Sequence, residues 1–388
     1  MNLMRIRIKL IRFSEKVLSK LLGRYWDNVS YQNHIKTCMD PVFWKTHKTK
    51  KINPYFAKWG FRISMLENDY YEMSTGVKSD LYVPFFIWKL MIYSFLNRDA
   101  WRFAYSDKNV FSRLLNLQKE NSEKGFAVPE SVFWCSNGCF FEKDFVPSTK
   151  EKCVDFLQNV QEDLIIKPSV ESHGGHGISK FSAGSLNREE ISELIDSYGL
   201  NFVIQRMLRQ HPDIAAFNES SINTIRIVTY CNFEGHIKVL YALQRFGIKG
   251  EVVDNASSGG CFCGILKDGT YQRIGHRYGH METFDIPSAV PEKAPCFEKI
   301  KEVVCSLHRL LSPFKMVAWD ISVDPNEIVN VVEYNLSPGH ELCQQSLGPV
   351  FEKKDLDEIM EHVSKAKQRI VIRHVISHPE RKGNDFYF

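Results

Sequence analysis

The sequence predicts an α+β protein with a mostly helical N-terminal region, and three observations support this fold class. The chain has 388 residues, of which 44% are hydrophobic, so it can bury a large core. After Tyr105, segments with helical periodicity alternate with short apolar strands. Two pairs of these strands are joined by short turns and therefore form hairpins. Helices combined with hairpins in one chain define the α+β class.

The individual elements follow from local patterns along the chain. Apolar residues at helical spacing predict helices, and short apolar runs bounded by turn residues predict strands. In chain order the elements are a helix at Asn109–Lys119, a strand at Asp163–Pro168, a helix at Asn187–Tyr198, a strand at Phe202–Met207, a hairpin at Ser221–Phe246, a helix at Pro291–Leu311, a hairpin across 317–335, and a charged helix that begins after Glu352.

The first 104 residues carry no motif that names a chemistry. Residues 1–26 combine basic side chains with apolar residues at helical spacing, which predicts a basic amphipathic helix. Such a helix either docks against the rest of the protein or contacts an anionic membrane surface, and the sequence leaves both open. Residues 27–104 form an accessory region. Its apolar run at 81–96 contains Pro84 and Lys89 and is too short to span a bilayer, so we expect it to be buried.

Charge and cysteine content narrow the possible partners and the compartment. The net charge is only +4 and the basic residues are dispersed, so no nucleic-acid partner is expected. The ten cysteines show neither CxxC pairs nor a zinc-binding spacing. They are predicted to be reduced thiols of a cytoplasmic protein. Charged residues interrupt every candidate apolar core of a signal peptide, so none is expected.

The hairpin across 317–335 carries Asp320, Glu333 and Asn335 among valines and isoleucines. With an even turn, Val323 faces Ile328 and Asp320 lies opposite Val331, so the three oxygen-bearing side chains share one face of the sheet. Hard cations such as Mg²⁺ prefer such oxygen ligands, particularly when phosphate oxygens complete the shell. The alternative is a solvated strand face, which the apolar neighbours disfavour because they indicate a buried sheet.

A second segment is suited to binding phosphate. The apolar strand that ends at Lys167 leads into a loop that contains Gly174, Gly175 and Gly177. Glycines allow backbone N–H groups to approach anionic oxygens, and a lysine at the strand end supplies a positive charge. Neither the Walker A nor the dinucleotide-binding pattern is present. A plain glycine turn is an equally good interpretation of this segment on its own.

The hairpin at 221–246 places two arginines on one face. With an even turn, Arg226 lies opposite Tyr241 and Arg245 opposite Ile222. Two guanidinium groups on one face repel each other unless an anion or a carboxylate lies between them. Structural salt bridges are the alternative explanation. The polar loop that follows, with Asn255, is a candidate for completing an anion site.

Seven short motifs in a fixed order resemble the ATP-grasp superfamily. More narrowly, the chain resembles the sugar-transfer-associated ATP-grasp proteins, which are similar to glutamate ligases, and the resemblance spans residues 105–350. The motifs are Tyr105-Ser106-Asp107-Lys108, Ile166-Lys167-Pro168 with its glycine loop, Val203-Ile204-Gln205-Arg206-Met207-Leu208, Asn223-Thr224-Ile225-Arg226, Asp254-Asn255 with Gly259-Gly260, Trp319-Asp320, and Glu333-Tyr334-Asn335-Leu336-Ser337-Pro338-Gly339.

The resemblance implies an ATP-grasp fold, in which two α+β lobes at 105–200 and 201–350 grip ATP between them and a C-terminal helix and tail follow at 351–388. It also implies roles for individual residues. The phosphates would be held by Lys108 and Lys167 and covered by the loop with Gly174, Gly175 and Gly177, while the adenine hinge would consist of Gln205, Arg206 and Leu208. The ribose would be contacted by His211 or Asp213. One or two Mg²⁺ ions would be bound by Asp320, Glu333 and Asn335, and catalysis would be served by Arg226, Arg245 and Asn255.

The implied activity is that of an ADP-forming carboxylate-amine ligase. A substrate carboxylate would attack the γ-phosphate to give an acyl phosphate, which an amine would convert to an amide. The substrates would be a small-molecule or glycan carboxylate and an amine acceptor in cell-surface polysaccharide or capsule biosynthesis, in the cytoplasm or at the inner face of the membrane. Two alternatives remain open: a kinase of the same fold that phosphorylates a hydroxyl, and a non-catalytic nucleotide-binding module.

Overall fold

The computed structural model describes residues 39–120, 125–170, 177–247 and 259–377. Residues 1–26, and with them the predicted amphipathic helix and its membrane contact, lie outside these ranges. Within the described part of the chain, no helix has both the length and the apolar character needed to cross a membrane. The described residues form helices and two β-sheets, which agrees with the predicted α+β class.

The N-terminal region is helical, as predicted. Its helices are α1 Pro41–Thr46, α2 Pro54–Lys58, α3 Leu66–Thr75, α4, which consists of Phe85–Ile87, a π-helical stretch Trp88–Tyr93 and Ser94–Leu96, and α5 Asp99–Tyr105. Asp40 and Asn53 cap α1 and α2 by accepting bonds from backbone N–H groups, and each helix begins with proline. The apolar run at 81–96 is buried, as predicted, since Val83, Ile87 and Ile92 have no exposed surface.

The smaller sheet has six antiparallel strands. In chain order its strands are β2 Ser131–Ser136, β3 Cys139–Glu142, β4 Val146–Ser148, β5 Leu164–Pro168, β6 Ser179–Phe181 and β7 Phe202–Arg206, and their spatial order is β4-β3-β2-β7-β5-β6. Helices α7 Lys150–Asn159 and α8 Arg188–Ser197 contribute to the same core, where Cys153 and Ile191 pack with the strands. Asn187 begins α8 with a capping box that includes Glu190.

The larger sheet has eight strands, and all of its pairs are antiparallel except β1 with β14. Its strands are β1 Phe126–Ala127, β8 Thr224–Cys231, β9 Ile237–Phe246, β10 Cys261–Ile265, β11 Ile274–Arg277, β12 Thr283–Asp285, β13 Met316–Val323 and β14 Val329–Asn335, in the spatial order β1-β14-β13-β8-β9-β10-β11-β12. The remaining helices are α6 Lys108–Glu120, α9 Pro212–Ala215, α10 Phe297–His308, α11 Glu341–Ser346 and α12 Lys353–Ser377, with short 3₁₀ turns at Lys143–Phe145 and Arg309–Leu311.

The predicted registers of both hairpins were wrong by one residue next to the turn and by two residues beyond a bulge. The turn between β13 and β14 spans five residues instead of four, with Glu327 in the left-handed region, so Val323 pairs with Val329. A bulge after Asp320 then adds a second shift and brings Glu333 opposite Asp320. A shift of two residues restores the same face of the sheet, so the prediction that Asp320 and Glu333 share a face holds.

The hairpin of β8 and β9 differs from the prediction for the same reason. Its turn is one residue longer than expected, with Gly235 at a positive φ, and a bulge follows between Val228 and Thr229. Arg226 therefore pairs with Leu243, and Arg245 pairs with Thr224. The predicted helix at Pro291–Leu311 was also too long at its start, because the α-helix begins only at Phe297.

Three buried side chains connect α10 to the centre of the larger sheet. The Nε1 of Trp319 donates to Thr229 Oγ1 at 2.9 Å, and His308 Nδ1 lies 2.7 Å from the same oxygen. His308 Nε2 faces the Phe314 carbonyl oxygen at 3.0 Å and must donate to it, so Nδ1 accepts from the hydroxyl of Thr229. Burial lowers the pKa of His308 to about 4, and the imidazole is therefore neutral in the folded protein.

This arrangement predicts a loss of stability in mild acid. Unfolding restores the ordinary pKa of 6.5, so the stabilisation is complete above pH 6.5 and is lost as the pH falls to about 4. The full effect of one such group is up to roughly 3 kcal/mol. Denaturant unfolding between pH 7 and 4 should show a smaller pH slope for His308→Gln than for the wild type. Equal slopes would contradict the assignment.

Candidate functional site

The candidate site is built around a buried carboxylate that two arginines hold. Arg226 on β8 donates from Nε to Asp320 Oδ1 at 2.8 Å and from Nη2 to Oδ2 at 2.7 Å. Arg245 on β9 donates from Nη1 to Oδ2 at 3.2 Å. Burial works to raise the pKa of Asp320, but the charges of the two arginines outweigh it and hold the pKa below its ordinary value. Asp320 is therefore an anion in the folded protein.

The second carboxylate is directly across the hairpin. Glu333 is the cross-strand partner of Asp320, so their carboxyl groups lie side by side on one face of the sheet. Two carboxyl groups in contact repel each other unless a proton or a cation lies between them. Oxygen atoms of two carboxylates are also the ligand type that Mg²⁺ prefers. The donor set therefore fits a divalent cation.

Asn335 supplies the third predicted ligand. It lies opposite Ala318, two positions along β14 from Glu333, so the two side chains share a face of the sheet. Its Oδ1 accepts a bond from the backbone N–H of Ser337 at 2.7 Å, which orients the amide. Within the described ranges, no group of three or more His, Cys, Asp or Glu side chains is arranged to hold a metal. Besides the two carboxylates, a cation here would thus need the amide oxygen of Asn335 and oxygen atoms of a bound molecule such as a phosphate.

Two lysines lie near Glu333. Lys108 begins α6, and its Nζ lies 3.9 Å from Glu333 Oε2. Lys167 on β5 of the smaller sheet is buried, and burial lowers its pKa to about 8. The negative charge of Glu333 works to raise this pKa, and the positive charge of Lys108 works to lower it further. Charged residues of the two sheets, Lys167 of the smaller and Glu333 of the larger, therefore lie close to each other here.

Charged side chains of both signs meet at this site. The cationic ones are Lys108, Lys167, Arg226 and Arg245, and the carboxylates are Asp320 and Glu333. Clustered cationic side chains attract a polyanion. Phosphate oxygens, with a divalent cation on the carboxylates, would satisfy both charge types.

Local structure holds Lys108 in place, and the sequence analysis did not identify this feature. The backbone N–H of Lys108 donates to the Ser169 carbonyl oxygen at 2.9 Å, which joins the start of α6 to the end of β5. Asp107 Oδ1 accepts from the N–H of Asn109 at 2.8 Å. The Asp-x-Asn spacing is typical of an Asx turn, so the sequence contained a signal for this connection.

The glycine loop is only partly described. Gly174, Gly175 and the catalytic candidate Asn255 lie outside the described residues, and their predicted roles stay predictions. Gly177 has φ of 73°, and a Cβ there would lie 2.9 Å from Pro168 Cγ. Any other residue would be strained at this position. Glycine thus allows the chain to pass close to the end of β5.

The predicted nucleotide-contacting residues lie at the end of β7 and beyond it. Gln205 is buried and donates from Nε2 to Ser131 Oγ at 3.1 Å. Arg206 bonds to two acidic side chains, Glu130 at 3.1 Å and Glu162, so its charge is already compensated. Leu208 is half-buried.

His211 is held at the far end of the strand that carries Asp320. Its N–H donates to the Val323 carbonyl oxygen at 2.7 Å, and its Nδ1 accepts from the N–H of Asp213 at 3.2 Å. His211 therefore serves as the N-cap of α9. The structure brings His211 and Asp213, the two ribose candidates, together without selecting between them.

The chain was compared with known proteins in three ways. One similar solved structure is the ATP-grasp ligase PsnB with a minimal precursor, Mg and ADP, which is 16% identical over 70% of this chain and 62% of that chain, with a TM-score of 0.37. The VanG D-Ala:D-Ser ligase from Enterococcus faecalis is 14% identical over 71% of this chain and 63% of its own, with a TM-score of 0.38. Biotin carboxylase from Campylobacter jejuni is 11% identical over 67% of this chain and 46% of its own, with a TM-score of 0.41. Each match spans less than two thirds of the solved chain. A search of curated proteins found no match.

The sequence profile decides the class. The protein has the ATP-grasp fold, as the resemblance implied. More specifically, the chain belongs to the sugar-transfer associated ATP-grasp family, whose profile matches residues 92–360.

The lowered pKa of Lys167 predicts that a phosphate group held by this side chain would bind more weakly in alkaline solution. The side chain is charged below about pH 8 and neutral above it. The affinity for ADP without metal should therefore fall by up to roughly tenfold between pH 7 and pH 9. Isothermal titration calorimetry measures this change. Lys167→Arg keeps its charge across this range and should show little pH dependence. A wild type as insensitive as that variant would contradict the prediction.

Proposed function

We propose that this protein is an ADP-forming carboxylate-amine ligase that uses Mg²⁺ and ATP. The observation that carries the proposal is the charge arrangement, in which four cationic side chains lie around the cross-strand carboxylates of Asp320 and Glu333. A nucleotide polyphosphate with a divalent cation complements this arrangement. Phosphoryl transfer depends mainly on positioning and charge neutralisation, which the site can provide.

Each side chain has a part in the proposed reaction. Lys108 and Lys167 hold the phosphates, because their charges face the site from α6 and β5. Arg226 and Arg245 steady the transferred phosphoryl group. Bound Mg²⁺ neutralises charge on the phosphate oxygens and would be held by Asp320, Glu333 and Asn335. Asn335 can contribute its amide oxygen while that atom also accepts the bond from Ser337, because an amide oxygen has two lone pairs.

We propose further that the nucleotide lies between two lobes, at 105–200 and 201–350, flanked by the N-terminal segments 1–26 and 27–104 and the C-terminal segment 351–388. The proposal is supported by the contact between Lys108 and Glu333, which bridges the two lobes. Residues 205–208 would contact the adenine. The loop at 174–177 would cover the phosphates and exclude water from a reactive intermediate.

The proposed chemistry has two steps. An oxygen of the substrate carboxylate attacks the γ-phosphorus, the bond to the β–γ bridging oxygen breaks, and ADP leaves. An amine then attacks the carbonyl carbon of the acyl phosphate, phosphate leaves, and the amine loses a proton. The family description, sugar-transfer associated, favours a sugar or glycan of a cell-surface polysaccharide as one substrate.

Hydroxylamine provides a direct test. With ATP, Mg²⁺ and a panel of uronic and amino acids, the wild type should form a hydroxamate and release ADP with at least one acid. Glu333→Ala should lower this rate by about 10²-fold or more, because it removes a group that holds the cation. Glu327→Ala is the matched control, since Glu327 lies in the exposed turn of the same hairpin and its rate should not change.

Two results would contradict the proposal. One is the absence of ADP release with every acid and amine pair. The other is the formation of a stable phosphate ester in place of a hydroxamate, which would identify a kinase. Wild-type activity in Glu333→Ala would remove that residue from the metal site.

A further inference from the structure

A buried asparagine outside the candidate site makes four hydrogen bonds at the ends of the two strands that carry the site residues. Asn97 follows α4 and has no exposed surface. Its Nδ2 donates to the carbonyl oxygens of Met316 at 2.6 Å and Leu336 at 2.9 Å. Its Oδ1 accepts from the N–H groups of Lys315 at 3.1 Å and Met316 at 3.0 Å. The side chain thereby uses both donor hydrogens and two acceptor directions. It joins the start of β13 to the end of β14.

One of these bonds leads directly to a candidate metal ligand. The peptide between Leu336 and Ser337 accepts from Asn97 through its carbonyl oxygen and donates through its N–H to Asn335 Oδ1 at 2.7 Å. A peptide group is planar and rigid, so its C=O and N–H cannot turn independently. A bond that fixes the carbonyl therefore also fixes the N–H that orients Asn335. We call this connection the Asn97–Asn335 relay.

The rest of the loop after β14 is held by separate contacts. Trp88 Nε1 donates to the Pro338 carbonyl oxygen at 3.1 Å, and the Trp88 ring stacks on His340 with centroids 4.5 Å apart. His340 Nε2 lies 2.8 Å from the Val83 carbonyl oxygen and donates to it. These contacts hold residues 338–340. The bond from Asn97 differs from them because it acts on the peptide between Leu336 and Ser337, whose N–H orients Asn335.

We propose that Asn97 is a positioning residue for the metal site, which it serves by fixing the amide of Asn335 through the relay. The inference rests on the proposed function, since it needs a cation at Asn335. A ligand amide that is held in one orientation loses less conformational freedom when the cation binds, so the affinity for the cation is higher. Residues of the N-terminal region would then contribute to the site without contacting the nucleotide.

Binding of Mn²⁺ with saturating ADP, followed by electron paramagnetic resonance, tests this without any substrate. Asn97→Ala should weaken Mn²⁺ binding at least fivefold and leave ADP binding without metal within twofold of the wild type. The matched control is Asn53→Ala, which removes an equally buried asparagine of the N-terminal region whose side chain bonds to Asn68, Asp80 and Phe56. Asn53→Ala should lower the unfolding temperature but keep the wild-type affinity for Mn²⁺.

A second variant tests the relay from its other end. Ser337→Pro deletes the N–H that donates to Asn335 and leaves Asn97 in place, so it should cause a similar loss of Mn²⁺ affinity even if Asn97→Ala does not fold. Wild-type Mn²⁺ affinity in Asn97→Ala or in Ser337→Pro would overturn the inference. An equal loss in Asn53→Ala would also overturn it, because the effect would then be general destabilisation. If the wild type bound no Mn²⁺ with ADP, the proposed function itself would fail.

Discussion

The burial of Asp320 is the constraint on which the rest of the structure depends. A lone carboxylate at the centre of a sheet is very costly, and this one is stable because Arg226 and Arg245 donate three bonds to it. Removal of one partner from such a buried ion pair typically costs 3–5 kcal/mol. The ion pairs tie together β8, β9 and β13, so the arginines cannot move without affecting the sheet.

The positions of the lysines follow from the way in which the two sheets meet. Lys167 belongs to the smaller sheet, and Glu333 to the larger one, yet the charge of Glu333 influences the pKa of Lys167. Burial of Lys167 weakens its hold on a proton, because the charged form is poorly solvated there. A polyanion beside this side chain would favour its charged form. The N-terminal region adds a further support through Asn97.

Much of the site could be predicted from the sequence because strand faces obey a simple rule. Asp320 and Glu333 share a face whenever the register shifts by an even number of residues, so two compensating irregularities left that prediction intact. The pairing itself could not be predicted, because a bulge and an extra turn residue depend on packing. Strands β10 to β12 were missed, since short strands of mixed composition carry little periodicity. The hydrogen bond between Asn97 and Leu336 joins residues 239 positions apart in the sequence, so no local pattern could predict it.

The central claim is that the face formed by Asp320, Glu333 and Asn335 binds the cation of a metal–nucleotide complex. A crystal structure with Mn²⁺ and a non-hydrolysable ATP analogue, analysed by anomalous scattering, measures this most directly. A manganese peak should lie within coordination distance of oxygens of Asp320, Glu333 and Asn335, with phosphate oxygens on its other side facing Lys108 and Lys167. A nucleotide bound elsewhere, or a manganese peak remote from these three side chains, would exclude this site.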